Sequence, residues 1–146
     1  MVKKPLVIYS GEIAQLQAGD SINVPITGTV DVVLTNDEAS PVDIGAPVYM
    51  DAADGFKKAK ADASGTAIVI GLVAKDPSIA SATSGEVATS GILTATTAQW
   101  DAVAGTTGGL TFNTRYYLDP STAGKITDTA PTTTGQYVVE IGVAVS

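Results

Sequence analysis

The chain has 146 residues, a formal net charge of −7 and a pI near 4.2. That length buries roughly two thirds of the surface its unfolded form exposes, enough for one core and too little for two independent ones. The acidic balance leaves no basic footprint for phosphates and disfavours an anionic membrane surface, and no apolar run approaches the ~20 residues of a spanning helix, so neither nucleic acid nor membrane is expected as a partner.

Residues 1–22 read as an extended N-terminal arm. Met1-Val2-Lys3-Lys4-Pro5 starts like a secretory leader, but the apolar run Leu6-Val7-Ile8-Tyr9 is shorter than the ~7–15 residues secretion needs, so synthesis and retention in a cytoplasm are expected. The same run is a strand candidate. The remainder, residues 23–146, is expected to form a single β domain. Ile22-Asn23-Val24-Pro25-Ile26 alternates, yet its proline confines it to a sheet edge or a strand start, because the ladder loses a donor there. Residues 30–34 form a firmer strand, 36–41 a loop, and Val42-Asp43-Ile44 and Val48-Tyr49-Met50 short strands. Asp51 to Gly55 closes a turn, after which 56–60 is expected to run outward and polar. Residues 68–74 are almost continuously apolar, as for a strand covered on both faces, with Gly71 marking a bulge or a close backbone approach. Residues 86–93 supply a further strand pair or a bulged strand. One helix is predicted over 97–104: Thr96 caps it, Gln99 completes a capping box, and Gly105 stands where a left-handed terminator belongs. Trp100 and Val103 share a face of that helix, which should plug an end or flank of a barrel.

The chain also repeats itself. Pro47-Val48-Tyr49-Met50-Asp51 leads through Asp54-Gly55 and Gly65 to Ile68-Val69-Ile70-Gly71-Leu72-Val73-Ala74. Arg115-Tyr116-Tyr117-Leu118-Asp119 leads through Gly124 and Gly135 to Val139-Glu140-Ile141-Gly142-Val143-Ala144. Equivalent positions lie 68 residues apart at Tyr49 and Tyr117, 70 at Gly65 and Gly135, and 71 at Gly71 and Gly142. Two β units, about 45–75 and 113–146, therefore differ by a few loop residues, and the matched glycines point to a shared bend. Hydrophobic residues make up 45% of the chain but aromatics only 5%, which is β-rich material. The expected fold is all-β in the main: a β-barrel or β-tulip-like domain from a duplicated β unit, with one short α-helix and the N-terminal arm.

Reactive chemistry is scarce. Without histidine or cysteine, Ser-His and Cys-His nucleophile pairs and thiolate metal sites cannot be built. Asp51, Asp54, Asp76, Asp101, Asp119 and Asp128 stand mostly beside Gly, Pro, Ser or Thr, where aspartate's ordinary work is to bond its own backbone in turns. Asp51-Ala52-Ala53-Asp54-Gly55 has a weak likeness to a calcium loop, but alternating acids and a distal glutamate are missing and Lys57 and Lys58 follow at once. No glycine run forms a phosphate loop or dinucleotide fingerprint. Tyr49, Tyr116, Tyr117 and Trp100 could stack on a sugar, although strand tyrosines and a lone tryptophan on a short helix are more often core. Lys57-Lys58-Ala59-Lys60 reads as a solvated strand edge that discourages aggregation. No catalytic residue, metal or cofactor is expected, and the chain reads as no enzyme. A glycosidase would need two facing acids ~5–10 Å apart, and nothing singles out such a pair.

Thr96-Thr97-Ala98-Gln99-Trp100-Asp101-Ala102-Val103, Gly108-Gly109-Leu110, Tyr116-Tyr117-Leu118, Ala123-Gly124-Lys125-Ile126, Ala130-Pro131 and residues 139–146 resemble a module of tailed-bacteriophage structural proteins. It occurs in head decoration (cement) proteins, head fibres and tail fibres. Residues 45–49 and 70–74 resemble the β core of the same decoration proteins, and Gly11-Glu12-Ile13-Ala14-Gln15-Leu16 resembles fibre modules. Together these cover about two thirds of the chain and carry no functional residue across. The resemblance implies a β-barrel or β-tulip module, commonly a homotrimer, on the outer face of a virion capsid with the major capsid protein as partner. Fibres usually continue into a shaft or receptor-binding tip, and this chain stops at Ser146. The expectation is a capsid decoration protein that stabilises joints between major capsid subunits, with Leu6, Val7, Ile8 and Tyr9 as the interface strand. The alternative is a fibre or baseplate component that binds a host glycan.

Overall fold

The computed structural model describes residues 28–146, together with the backbone of the strands β1 (Leu6–Tyr9) and β2 (Glu12–Gln15). Residues 22–26, expected as an edge strand, lie outside the described residues. The chain is mostly β. Five strands close into a barrel in the order β3 (Thr29–Asn36), β6 (Gly55–Lys58), β5 (Pro47–Ala52), β7 (Gly71–Val73) and β9 (Ser84–Gly91), with β9 returning to β3. Every pairing is antiparallel except β3 with β6. The short pair β4 (Val42–Asp43) and β8 (Ser78–Ile79) contributes Val42 and Ile79 to the barrel interior beside Leu34, Val48, Phe56, Val73 and Val87.

The one buried polar side chain among the described residues, Asn36, is fully bonded. Its amide donates to the carbonyls of Ser40 (3.0 Å) and Ile79 (2.9 Å), and its oxygen accepts from the Glu38 amide (2.8 Å). A buried amide left unpaired would cost ~1–3 kcal/mol; here it pins the end of β3 to the β4–β8 pair.

The second sheet is three-stranded, β11 (Ile126–Thr127), β10 (Arg115–Leu118) and β12 (Glu140–Val143). Its register repeats that of the barrel. Val48 pairs with Gly71 and Pro47 with Leu72, while Tyr116 pairs with Gly142 and Arg115 with Val143. On the other side of the central strand, Met50 pairs with Phe56 and Tyr49 with Lys57, while Leu118 pairs with Ile126 and Tyr117 with Thr127. The turns agree as well: Asp54 (φ 62) and Gly124 (φ 73) hold the same left-handed position. A residue slip would exchange the two faces of a strand, so equal register places equal positions on equal faces.

The helix α1 (Thr97–Ala104) has the expected ends. Thr96 Oγ1 accepts from the Gln99 amide (3.3 Å), the Gln99 side chain accepts from the Thr96 amide (2.8 Å), and Gly105 ends the helix in the left-handed region at φ 64. Its location differs from expectation. Val103 and Trp100 pack on the second sheet, against Tyr116, Ile126 and Ala144; the Trp100 ring touches the barrel unit at Gly45, and the Gln99 side-chain amide donates to Asp76 just after β7. Tyr116, Ile126 and Ala144 are the equivalents of Val48, Phe56 and Val73, so the face that lines the barrel interior in one unit is the face that takes the helix in the other. A further cluster joins the units, with Ala59, Ala61, Ala67 and Tyr49 from the first and Leu118, Val139 and Ile141 from the second.

Two strand expectations need correction. Residues 56–60 do not run outward: Phe56 and Ala59 are fully buried, because β6 is a barrel strand. The strand at 68–74 shrinks to Gly71–Val73, with Ile68 67% exposed, because the chain before Gly71 pairs only through isolated contacts such as the Ile70 amide on the Val48 carbonyl (3.0 Å). β9 is bulged, as expected: its register against β3 shifts between Val30, opposite Ser90, and Asp31, opposite Ala88.

Candidate interaction surface

The aspartates do structural work. Asp101 Oδ1 accepts from the Gly109 amide (2.7 Å) and the Thr106 hydroxyl (3.0 Å), and Oδ2 accepts from the Gly108 amide (3.1 Å). These bonds, the Gly109 amide foremost, hold its pKa below the ordinary aspartate value by favouring the ionised form. Asp119 Oδ1 accepts from the amides of Ser121 (2.6 Å) and Thr122 (2.9 Å) in the turn after β10. Lys57 meets Asp51 (2.7 Å), which raises the lysine's pKa, and Lys60 meets Asp62 (2.8 Å), which lowers the aspartate's. The calcium-like segment thus spends Asp51 on a surface ion pair. Among the described residues no three carboxylates gather as a metal site would require. No helix among them is long and apolar enough to cross a membrane.

The aromatic candidates for a sugar platform are dispersed. Tyr116 is buried with its hydroxyl accepting from the Thr111 amide (3.0 Å), Trp100 packs in the helix cluster, and Tyr49 belongs to the cluster between the units.

What the surface does offer is open strand edges carrying apolar side chains. Barrel closure uses only the end of β3, where Thr35 and Asn36 pair with Gly55 and Phe56. The first part of that strand, residues 29–34, pairs with β9 on one side and with no described strand on the other. Val30 (62% exposed), Val32 (40%) and Val33 (66%) stand on it, so apolar side chains flank unpaired backbone. β12 is open on its outer edge too, with Val143 and Val145 exposed. Between residues 141–146 and the segment 91–95 lies a groove of about 540 Å³, lined by Leu72, Ile92, Leu93, Trp100, Leu110 and Tyr116 among others.

Leu6, Val7, Ile8 and Tyr9, the sequence-derived interface residues, form β1 and pair with Gln15, Ala14, Ile13 and Glu12 of β2. This two-stranded sheet pairs with no other described strand. Sequence reading missed the valines of β3, since alternation assigns half of any such strand to a core and cannot say that the barrel ends at Leu34. It missed the β12 edge as well, although the paired glycines Gly71 and Gly142 carried a signal of it. No family model matches the chain, and no curated protein and no solved structure matches it significantly.

Proposed function

We propose that this chain is a tailed-bacteriophage capsid decoration protein, a homotrimeric cement on the virion exterior that binds across joints between major capsid subunits and makes their separation cost an additional interface. The observation that carries this reading is the open, valine-bearing half of β3. An unpaired edge with exposed apolar side chains is a template for another chain, and monomeric proteins ordinarily cover or charge such an edge. The resemblance of both β units to decoration proteins supplies the kind of partner. In this reading the protein turns over no substrate and needs no cofactor. Its effect is mass action: a ligand that binds only the assembled shell stabilises it by RT ln(1 + [L]/Kd), about 2.7 kcal/mol per site at a hundredfold excess over Kd. The strand Leu6–Tyr9 adds to a neighbouring chain. The fibre or baseplate alternative is weaker, because burial of Tyr116 takes one of its four aromatic candidates away from a glycan and Tyr49 packs between the two units, which leaves Trp100 at the groove without an exposed ring from either.

The test is cosedimentation with expanded, undecorated capsids. Val30→Asp and Val33→Asp should each weaken binding at least about tenfold, ~1.4 kcal/mol, while circular dichroism stays native. Deletion of residues 1–10 should abolish binding with the barrel still folded. Undiminished binding by all three variants would overturn the reading.

A further inference from the structure

The two β units differ at one edge, and the first unit shows what the second one lacks. In the barrel, the outer edge of β7 is taken by β9, with Leu72 opposite Ala88 and Val73 opposite Val87. The equivalent edge of the second unit belongs to β12, where Val143 and Ala144 stand in the places of Leu72 and Val73, and no described strand pairs there. The Ala144 amide turns inward to the Thr114 carbonyl (3.0 Å), so strand alternation turns the backbone of Val143 and Val145 outward.

The matched glycines sharpen the point. A Cβ on Gly71 would collide with the Ala88 carbonyl of β9, which explains the glycine there. A Cβ on Gly142 would meet nothing within 4 Å. Neither residue has a left-handed backbone. The repeat therefore keeps a small residue at a position where the crowding neighbour is absent from the lone chain.

We infer that the outer edge of β12 is an acceptor site for a strand, filled by Leu6–Tyr9 of a second copy of this chain running antiparallel to it. This rests on the reading of that segment as a strand donor and names its acceptor. β1 matches the four residues of β12 in length, carries no charge, and suits a groove walled by Leu72, Ile92, Leu93 and Leu110. Among the described strands its partner is β2 alone, which leaves its second edge for pairing. The residues between β2 and β3, 16–28, can span up to ~45 Å, enough to carry the hairpin to a neighbouring molecule. The product is a continuous sheet across two copies, in the order β2-β1 of the donor, then β12-β10-β11 of the acceptor. The open half of β3 is a poorer donor, because it is already fixed in the barrel by β9 and carries Asp31.

The native chain contains no cysteine, which permits an unambiguous experiment in the absence of capsids. One full-length chain carries Ile8→Cys and another Val143→Cys; the two are mixed and treated with a short bis-maleimide. A covalent product of two-chain mass, containing one of each, is expected. No product in the mixture overturns the inference. So does a doubly substituted chain that cross-links only within itself, since that would place β1 on its own β12. Gly142→Val provides the second arm: it has room in the lone chain, so at a concentration low enough that the parent is dissociated it should unfold at the same temperature as the parent, while abolishing both the cross-link and self-association in sedimentation. Persistent association by this variant would also overturn the site. Because no shell is present, failure here leaves capsid binding through β3 intact, and failure of the β3 substitutions leaves this site untouched.

Discussion

The barrel unit and the second β unit share strand order, register and the left-handed turn position, yet one closes on strands and the other on a helix. Around β6-β5-β7, the barrel adds β3 and β9, whose Leu34 and Val87 complete the interior. Around β11-β10-β12, Val103 and Trp100 of α1 supply the apolar cover instead. A helix covers a sheet face but cannot hydrogen-bond its edge, so the second unit buries its inner side chains while no described strand pairs with the outer edge of β12. The repeated sequence thus encodes a three-stranded sheet, and the unrepeated segments decide how it is finished.

Equivalent core positions of the two units should respond alike to truncation. Phe56→Ala should cost about 3–5 kcal/mol in chemical denaturation, and its counterpart Ile126→Ala about 2–5 kcal/mol, since both sites are buried. If only the first change lowered stability, the face under the helix would not be a core comparable with the barrel interior. Next comes the glycine pair. Gly71→Val drives a side chain into β9 and should cost about 1–3 kcal/mol or more, whereas Gly142→Val should stay within about 0.5 kcal/mol of the parent. Equal losses at the two sites, measured on dissociated chains, would mean that the β12 edge is already occupied within the single chain.

A smaller effect tests the helix as the second unit's cover. Thr96→Ala removes the cap and should cost about 1 kcal/mol, with amide exchange rising first in α1 and in the strands β10 and β12. Exchange rising equally in β3 and β9 would show that the two units do not open separately. The smallest expected change is with pH. Asp101 titrates below its unfolded value in the native state, so its contribution is fully present above about pH 4 and is lost as pH falls through the depressed native value. Asp101→Asn should flatten that acid limb of the stability profile, and an unchanged limb would remove Asp101 from it.

Much of this fold was legible because it is local. The capping box at Thr96 and Gln99 and the terminator Gly105 satisfy backbone groups within a few residues, and the helix bounds follow from them. Asp119 bonds the turn that follows it, and Asp101, within α1, bonds the loop at Thr106 to Gly109 a few residues on. The duplication was visible as well, in the matched tyrosines and glycines of the two units. The candidate surface was only half legible: the apolar run at Leu6–Tyr9 stood out, while the valines of β3 resembled any half-buried strand.

Short-range hydrogen bonds and the doubled unit were therefore written in the residues themselves. Long-range packing set the rest: Phe56 turns inward, α1 covers the second sheet, and among the described strands β7 has a neighbour on its outer edge and β12 has none. Those outcomes depend on where β3 and β9 close the barrel, and pairings between residues so far apart in the chain leave no mark on the residues immediately around them.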